Sequence, residues 1–159
     1  ERFDGEPEAR FGLLASSRDK SLPAFGIHND FQATKNVKLG RWFADDEDDE
    51  GGWSCRQLNR CITEFQCQGL ETDGALVAWG TDFVWEAVDA AGTMGWTNSR
   101  ARQYMAKSGT VKNPLQLRRN AYRVLLTRAR NATVVYVPEL PILDDTFRYL
   151  VASGFIETS

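Results

Sequence analysis

The sequence predicts an α/β fold whose sheet is parallel at its centre. Two apolar runs, "GALVAWG" at 74–80 and "TVVYV" at 133–137, lack the alternation of a half-exposed strand and read as strands covered by helices on both faces. The stretch between them, from Asn113 or Pro114 to about Arg128, carries helical periodicity. Strands alternate with helices along the chain, the order of an α/β sheet with its functional loops at the carboxyl ends of the strands.

Taken in order, "FGLLAS" at 11–16 is a short apolar run ending in small polar residues, as a buried strand does when it delivers a loop to the sheet edge. Residues 19–50 are poorly periodic and predict loops with one short helix. "RCIT" at 60–63 is a candidate second strand, and "GALVAWG" a stronger one. A helix is expected over Ser99 to Lys107. The next, to about Arg128, has proline at an early helical position, where a missing N–H costs nothing. After "TVVYV", Asp144 is expected to cap a final helix ending near Gly154.

The length of 159 residues fits one domain, 1–159, with a sizeable core. The chain opens on Glu1 and has no apolar stretch of signal or membrane-span length, which reads as a soluble, cytoplasmic piece of a longer protein that does not engage a membrane. Asn131-Ala132-Thr133 fits a glycosylation sequon that only a secreted chain would use. Cys55, Cys61 and Cys67 are an odd set with no zinc spacing and read as reduced thiols. The one histidine, His28, makes a Ser-His-Asp hydrolase a poor reading, and no carboxylate cluster has the spacing of a metal-dependent nuclease.

The net charge of −3 conceals segregation. From Asn98 to Asn131 there are nine cations and no acid, leaving 10 cations against 22 acids elsewhere (19 less nine). Such a stretch is able to form a phosphate-binding face, or to face water and pair with the acidic part. If part of it follows a nucleic-acid backbone, Arg118 and Arg119 are the candidate contacts. Asp45 to Glu50, followed by two glycines, reads as a solvated acidic loop over 45–52.

On a helical wheel at about 100° per residue, Leu115, Leu117, Ala121, Tyr122, Val124, Leu125 and Leu126 share one arc, while Arg119, Arg123 and Arg130 line its edge and the exposed side. Arg128 falls on the apolar side. An arginine cannot shed its proton, so an anionic or carbonyl partner must meet it: an internal carboxylate, the carbonyls at the helix C-terminus, or a bound phosphate. In "TEFQCQGLETDGALVAWG", 63–80, Gly69 lets backbone approach a ligand closely and Glu71 is able to accept hydrogen bonds from a sugar hydroxyl. A tight turn with a solvated glutamate is the plain alternative.

Together these stretches resemble superfamily one helicases. "TEFQCQGLE", 63–71, matches in register the T-x-H-x-x-K/Q-G-x-E pattern of the fifth motif, and "YRVLLTRAR", 122–130, is similar to the sixth, usually Y-V-A-x-T-R-A. With "FGLLASS", they more specifically resemble the Schlafen group 3-like DNA/RNA helicase domain. Phe65 stands where histidine is usual and Gln68 where many relatives have lysine.

The resemblance implies a RecA-like three-layer sandwich, the C-terminal of two such domains in an ATP-driven helicase or translocase. It makes Arg128 the arginine finger for the γ-phosphate, sets Gly69 and Gln68 near the phosphates and Glu71 at the ribose, and brings Thr63 to the nucleic-acid backbone. Arg123 and Arg130 are able to bind phosphate or simply to solvate the helix. The implied partners are an N-terminal RecA-like domain of the same parent and single-stranded nucleic acid, and the implied cofactors ATP and Mg²⁺ in that parent. No G-x-x-x-x-G-K-[ST] phosphate loop occurs in the chain, nor an acidic Mg²⁺ motif on a strand, so the 159 residues alone are expected not to hydrolyse ATP. The competing expectation is a non-catalytic nucleic-acid-binding or interaction module that keeps the fold.

Overall fold

The computed structural model describes residues 8–47, 51–101 and 112–158. Four strands, β1 (Phe11–Ala15), β2 (Cys61–Thr63), β3 (Thr72–Ala78) and β6 (Ala129–Tyr136), form a parallel sheet in the order β2-β1-β3-β6. The registers align Ile62, Leu14, Val77 and Val135 in one row, and Cys61, Leu13, Leu76 and Val134 in the next. Successive rows face opposite sides of the sheet. Leu14, Ile62 and Val77 meet Trp42 and Leu125 in one core, while Leu13, Cys61 and Ala78 meet Leu22 in another. The central strands are buried on both faces, as their unbroken apolar sequences predict. β6 is not: it lies at the sheet edge with Val134 and Tyr136 exposed, so only one face of "TVVYV" is covered.

The described part of the 19–50 stretch, residues 19–47, holds more helix than expected: a 3-10 turn at Leu22–Phe25 and two short helices, α1 (Phe31–Thr34) and α2 (Leu39–Ala44). Asp30 caps α1 by accepting from the Gln32 and Ala33 N–H groups at 2.8 and 3.2 Å. α2 drives Trp42 into the core over Gly12, where a Cβ would lie 2.3 Å from the indole ring. Asp45, Asp46 and Glu47 pair with Arg41, Arg10 and Arg56, with Asp46 and Glu47 still facing water.

An antiparallel hairpin not predicted from sequence, β4 (Val84–Ala87) with β5 (Met94–Thr97), follows β3. Its Trp96 stacks on Phe83 with ring centroids 4.3 Å apart and meets Trp79 at 5.7 Å, which docks the hairpin on the sheet. Of the helix expected at 99–107, only 99–101 are described, and they are not helical; the rest lies outside the described residues.

α3 (Pro114–Leu126) is capped by Asn113, whose Oδ1 accepts from the Gln116 N–H at 2.9 Å. The helix stops before Arg128, because Thr127 closes it with its N–H on the Arg123 and Val124 carbonyls. Arg128 therefore lies on the link into β6. The final helix, α4 (Asp144–Ala152), follows a 3-10 turn at Pro141–Leu143; Asp144 is its first residue rather than its side-chain cap. Thr146 and Leu150 bury α4 against the hairpin and sheet, the Thr146 hydroxyl accepting from the Trp85 N–H at 2.9 Å. No described helix is long and apolar enough to cross a membrane.

Candidate functional site

The connection from β2 to β3, residues 64–71, starts at the carboxyl end of one parallel strand and delivers the chain to the amino end of another. It thereby splits the predicted site residues between two ends of the sheet, not the carboxyl end alone. Thr63 closes β2 at the carboxyl end. It is buried, and its N–H and hydroxyl both donate to Gln66 Oε1, at 3.1 and 3.2 Å. Gly69 and Glu71 lie at the amino end, and so does Arg128, because β6 starts beside β3 and the Arg128 carbonyl accepts from the Thr72 N–H at 2.9 Å.

At that amino end Phe43, Gly69, Leu70, Glu71, Arg128 and Arg130 line one cavity of about 390 Å³, within the size range of small-molecule sites. Gly69 has φ +83°, and nothing lies within 4 Å of where its Cβ would be, so the turn suits glycine and leaves open space beside the backbone. Arg128 is half-buried. Its Nε donates to the Val124 carbonyl at 3.0 Å and one terminal nitrogen to the Leu70 carbonyl at 3.4 Å, anchoring the side chain between the end of α3 and the glycine turn. Of the partners open in sequence, the helix C-terminal carbonyls are those it meets. Its charge also reaches Cys67, whose thiol burial pushes up to about 11 with Arg128 pulling the other way.

Arg130 and Glu71 are a pair. The arginine donates to Glu71 Oε2 at 2.7 and 2.9 Å, with both side chains more than 60% exposed, so the bond is soft and screened by water. Arg130 is exposed, as its place on the edge of the wheel implies, and it also lines the cavity. Gln68 and Arg123 are exposed and are not among the residues lining the cavity. Phe43 and Leu70 are, and nothing in their spacing marked them.

Arg118 requires the largest correction. Expected on a nucleic-acid surface beside the exposed Arg119, it is 6% exposed at the carboxyl end of the sheet. It donates to Asp82 Oδ2 at 2.9 Å and to Glu64 Oε1 at 3.2 Å, and also bonds Ser16. Ser17 binds Glu64 through its N–H and hydroxyl at 2.7 and 2.9 Å, and the Tyr122 hydroxyl donates to Asp82 at 2.6 Å and accepts from the Gly80 N–H at 3.0 Å. The cluster joins the ends of β1, β2 and β3 to α3. Burial raises the Tyr122 phenol well above its usual range, with Asp82 pushing the same way, so it serves as a neutral donor. A buried guanidinium between two carboxylates is a bolt: its charge is met within the domain rather than offered on a surface.

Among the described residues no three metal-ligating side chains converge. A family model described as Schlafen group 3, DNA/RNA helicase domain, matches residues 4–139 of the chain. No curated protein and no solved structure gives a significant match.

Proposed function

The chain belongs to the Schlafen group 3 DNA/RNA helicase domain family, and on that footing we propose that it is the C-terminal RecA-like domain of an ATP-driven helicase or translocase. In this reading it supplies one wall of a composite nucleotide site, and the facing wall, with the phosphate loop, comes from an N-terminal RecA-like domain of the same parent. The observation that carries it is convergence: Arg128, far along the chain from Gly69 and Glu71, meets them in one cavity at the amino ends of β3 and β6. A cavity with two guanidiniums, a carboxylate and an open glycine turn has the chemistry to take phosphates at one side and a hydroxyl at the other.

ATP, when bound, supplies a γ-phosphoryl whose transfer to water spreads negative charge over its oxygens. Arg128, already held by two carbonyls, would meet that charge with little reorganisation. Glu71 would exchange its soft bond with Arg130 for a ribose hydroxyl, which frees Arg130 for phosphate. No metal-dependent step is assigned to the described residues; Mg²⁺ would be held by the facing domain and the nucleotide.

The test is ATP turnover in a parent that carries this domain and the upstream one. Arg128→Ala is expected to cut turnover on the order of 10³-fold, with nucleic-acid affinity and thermal midpoint near wild type. Arg148→Ala, an exposed arginine paired with Asp145 on α4, is the control and should leave turnover unchanged. An Arg128→Ala parent that folds normally and turns over near the wild-type rate overturns the assignment. The absence of a phosphate loop in these 159 residues also favours a second reading, a nucleic-acid-binding module without a motor; an upstream sequence lacking that loop would decide for it.

A further inference from the structure

Three cations gather on one half-buried indole beside β2, at the edge of the sheet away from β6. Gly51 and Gly52, at φ +97° and +60°, turn the chain after the acidic run and deliver Trp53. Trp42, buried in the core, donates its indole N–H to the Arg60 carbonyl at 3.2 Å, which ties α2 to the residue before β2. Together these bring Arg60 to 4.1 Å, Lys38 to 5.4 Å and Arg41 to 5.8 Å from the Trp53 ring centroid. Each such contact is weak where water reaches it, and the like charges repel one another. Arg41 is met by Asp45, while Asp46 and Glu47, the next acids of the run, are taken by Arg10 and Arg56. Among the described residues no carboxylate pairs with Lys38 or Arg60. Arg60 is also oriented. Its Nε donates to the Gly52 carbonyl at 2.9 Å and its guanidinium lies over the indole, and no described group accepts from its two terminal nitrogens.

We infer that Trp53, Arg60 and Lys38 form a site for a compact phosphate dianion, either a small phosphomonoester or inorganic phosphate. A guanidinium fork takes two oxygens of such a group, and an ammonium beside it takes a third. A carboxylate offers two oxygens and one charge, and a phosphodiester one charge, so either would leave a cation uncompensated. The site goes beyond the function proposed above: none of its residues lines the amino-end cavity, and it flanks β2 rather than β6.

The experiment follows the indole N–H signals of this chain by two-dimensional NMR, with the Trp53 signal assigned through Trp53→Phe, during titration with methyl phosphate, inorganic phosphate, dimethyl phosphate and acetate. The first two should shift the Trp53 signal saturably and bind at least about tenfold tighter than the last two. Either order between those two supports the site, and the tighter one tells whether it takes an ester or the free ion. Binding of methyl phosphate should strengthen between about pH 5 and pH 7, as the second phosphate proton leaves. Arg60→Lys keeps the charge and loses the fork, and Lys38→Gln removes the second cation; each should weaken methyl phosphate at least about fivefold, whereas Arg128→Ala in the cavity should not change it. Lys38 makes no side-chain cap bond to α2, so its variant keeps the test decisive if Arg60→Lys lowers the thermal midpoint. No shift of the Trp53 signal, equal affinity for all four anions, or a Lys38→Gln chain that binds as tightly as wild type overturns the site.

Discussion

Arg118 and Arg128 carry the same guanidinium to opposite ends of the sheet, and their partners decide what each does. Arg118, with Ala121, Tyr122 and Leu125, forms the i, i+3, i+4, i+7 stripe that α3 buries. It meets two carboxylates there, so its charge is consumed internally. Removing it would leave Asp82 and Glu64 buried without a counter-charge, and burial already raises the Asp82 carboxyl against the pull of Arg118. Arg118→Ala is therefore expected to cost about 3–5 kcal/mol of stability, measured by denaturant midpoint, while Arg119→Ala on the exposed face should stay within about 0.5 kcal/mol. Similar losses for both would mean that the pair network is not what secures the carboxyl end. The wheel marks Arg128, which is half-buried and meets a carbonyl at the end of α3, but it passes over Arg118, the more deeply buried of the two. The wheel extends α3 through Arg128, whereas Thr127 ends it earlier, and it scores arginine as polar although Arg118 keeps the apolar spacing.

At the scale of elements, what was legible is what local pattern determines. β1 and β3 are continuous apolar runs, and Asn113-Pro114 is a start signal that α3 obeys. The hairpin was missed because its strands are short and its turn has no two-residue signature: Asp89 Oδ1 accepts from the Ala91 and Thr93 N–H groups at 3.0 and 2.9 Å, and Gly92 takes φ +79°. The convergence of Gly69 and Glu71 with Arg128 depends on β3 and β6 being neighbours, a fact of topology that no local window contains. The same hairpin carries a pH dependence. For Glu86, partial burial alone would raise the carboxyl, but the Thr97 hydroxyl and Arg100 outweigh it and hold it low; Asp89 is lowered by the Thr93 hydroxyl and backbone N–H. Groups depressed in the folded state contribute stability above their ordinary carboxylate range, and that contribution is lost as pH falls through the range and below it. The thermal midpoint should drop between about pH 6 and pH 3, and Glu86→Gln with Asp89→Ala should start lower and fall less steeply. Parallel pH curves for the two proteins would remove these carboxylates from the account.

Over the whole molecule, the charge segregation resolves into paired and open cations. Arg100 is engaged by Glu86, Arg118 by Asp82 and Glu64, and Arg130 by Glu71. Arg119 and Arg123 stand exposed one helical turn apart on α3, the spacing that puts two side chains on one face. Because Arg118 on the same helix lies at the carboxyl end and the helix closes beside Arg128, these two stand on the exposed face of α3 between the two ends of the sheet. A single strand that followed this face would lay its phosphates along it, and each phosphate neutralised contributes about 0.7 to the slope of log affinity against log salt. Arg119→Ala with Arg123→Ala should therefore flatten that slope by about 1.4 and weaken binding alike for all base sequences. If the double arginine variant keeps the wild-type slope in a titration from low to high salt, the strand does not follow α3.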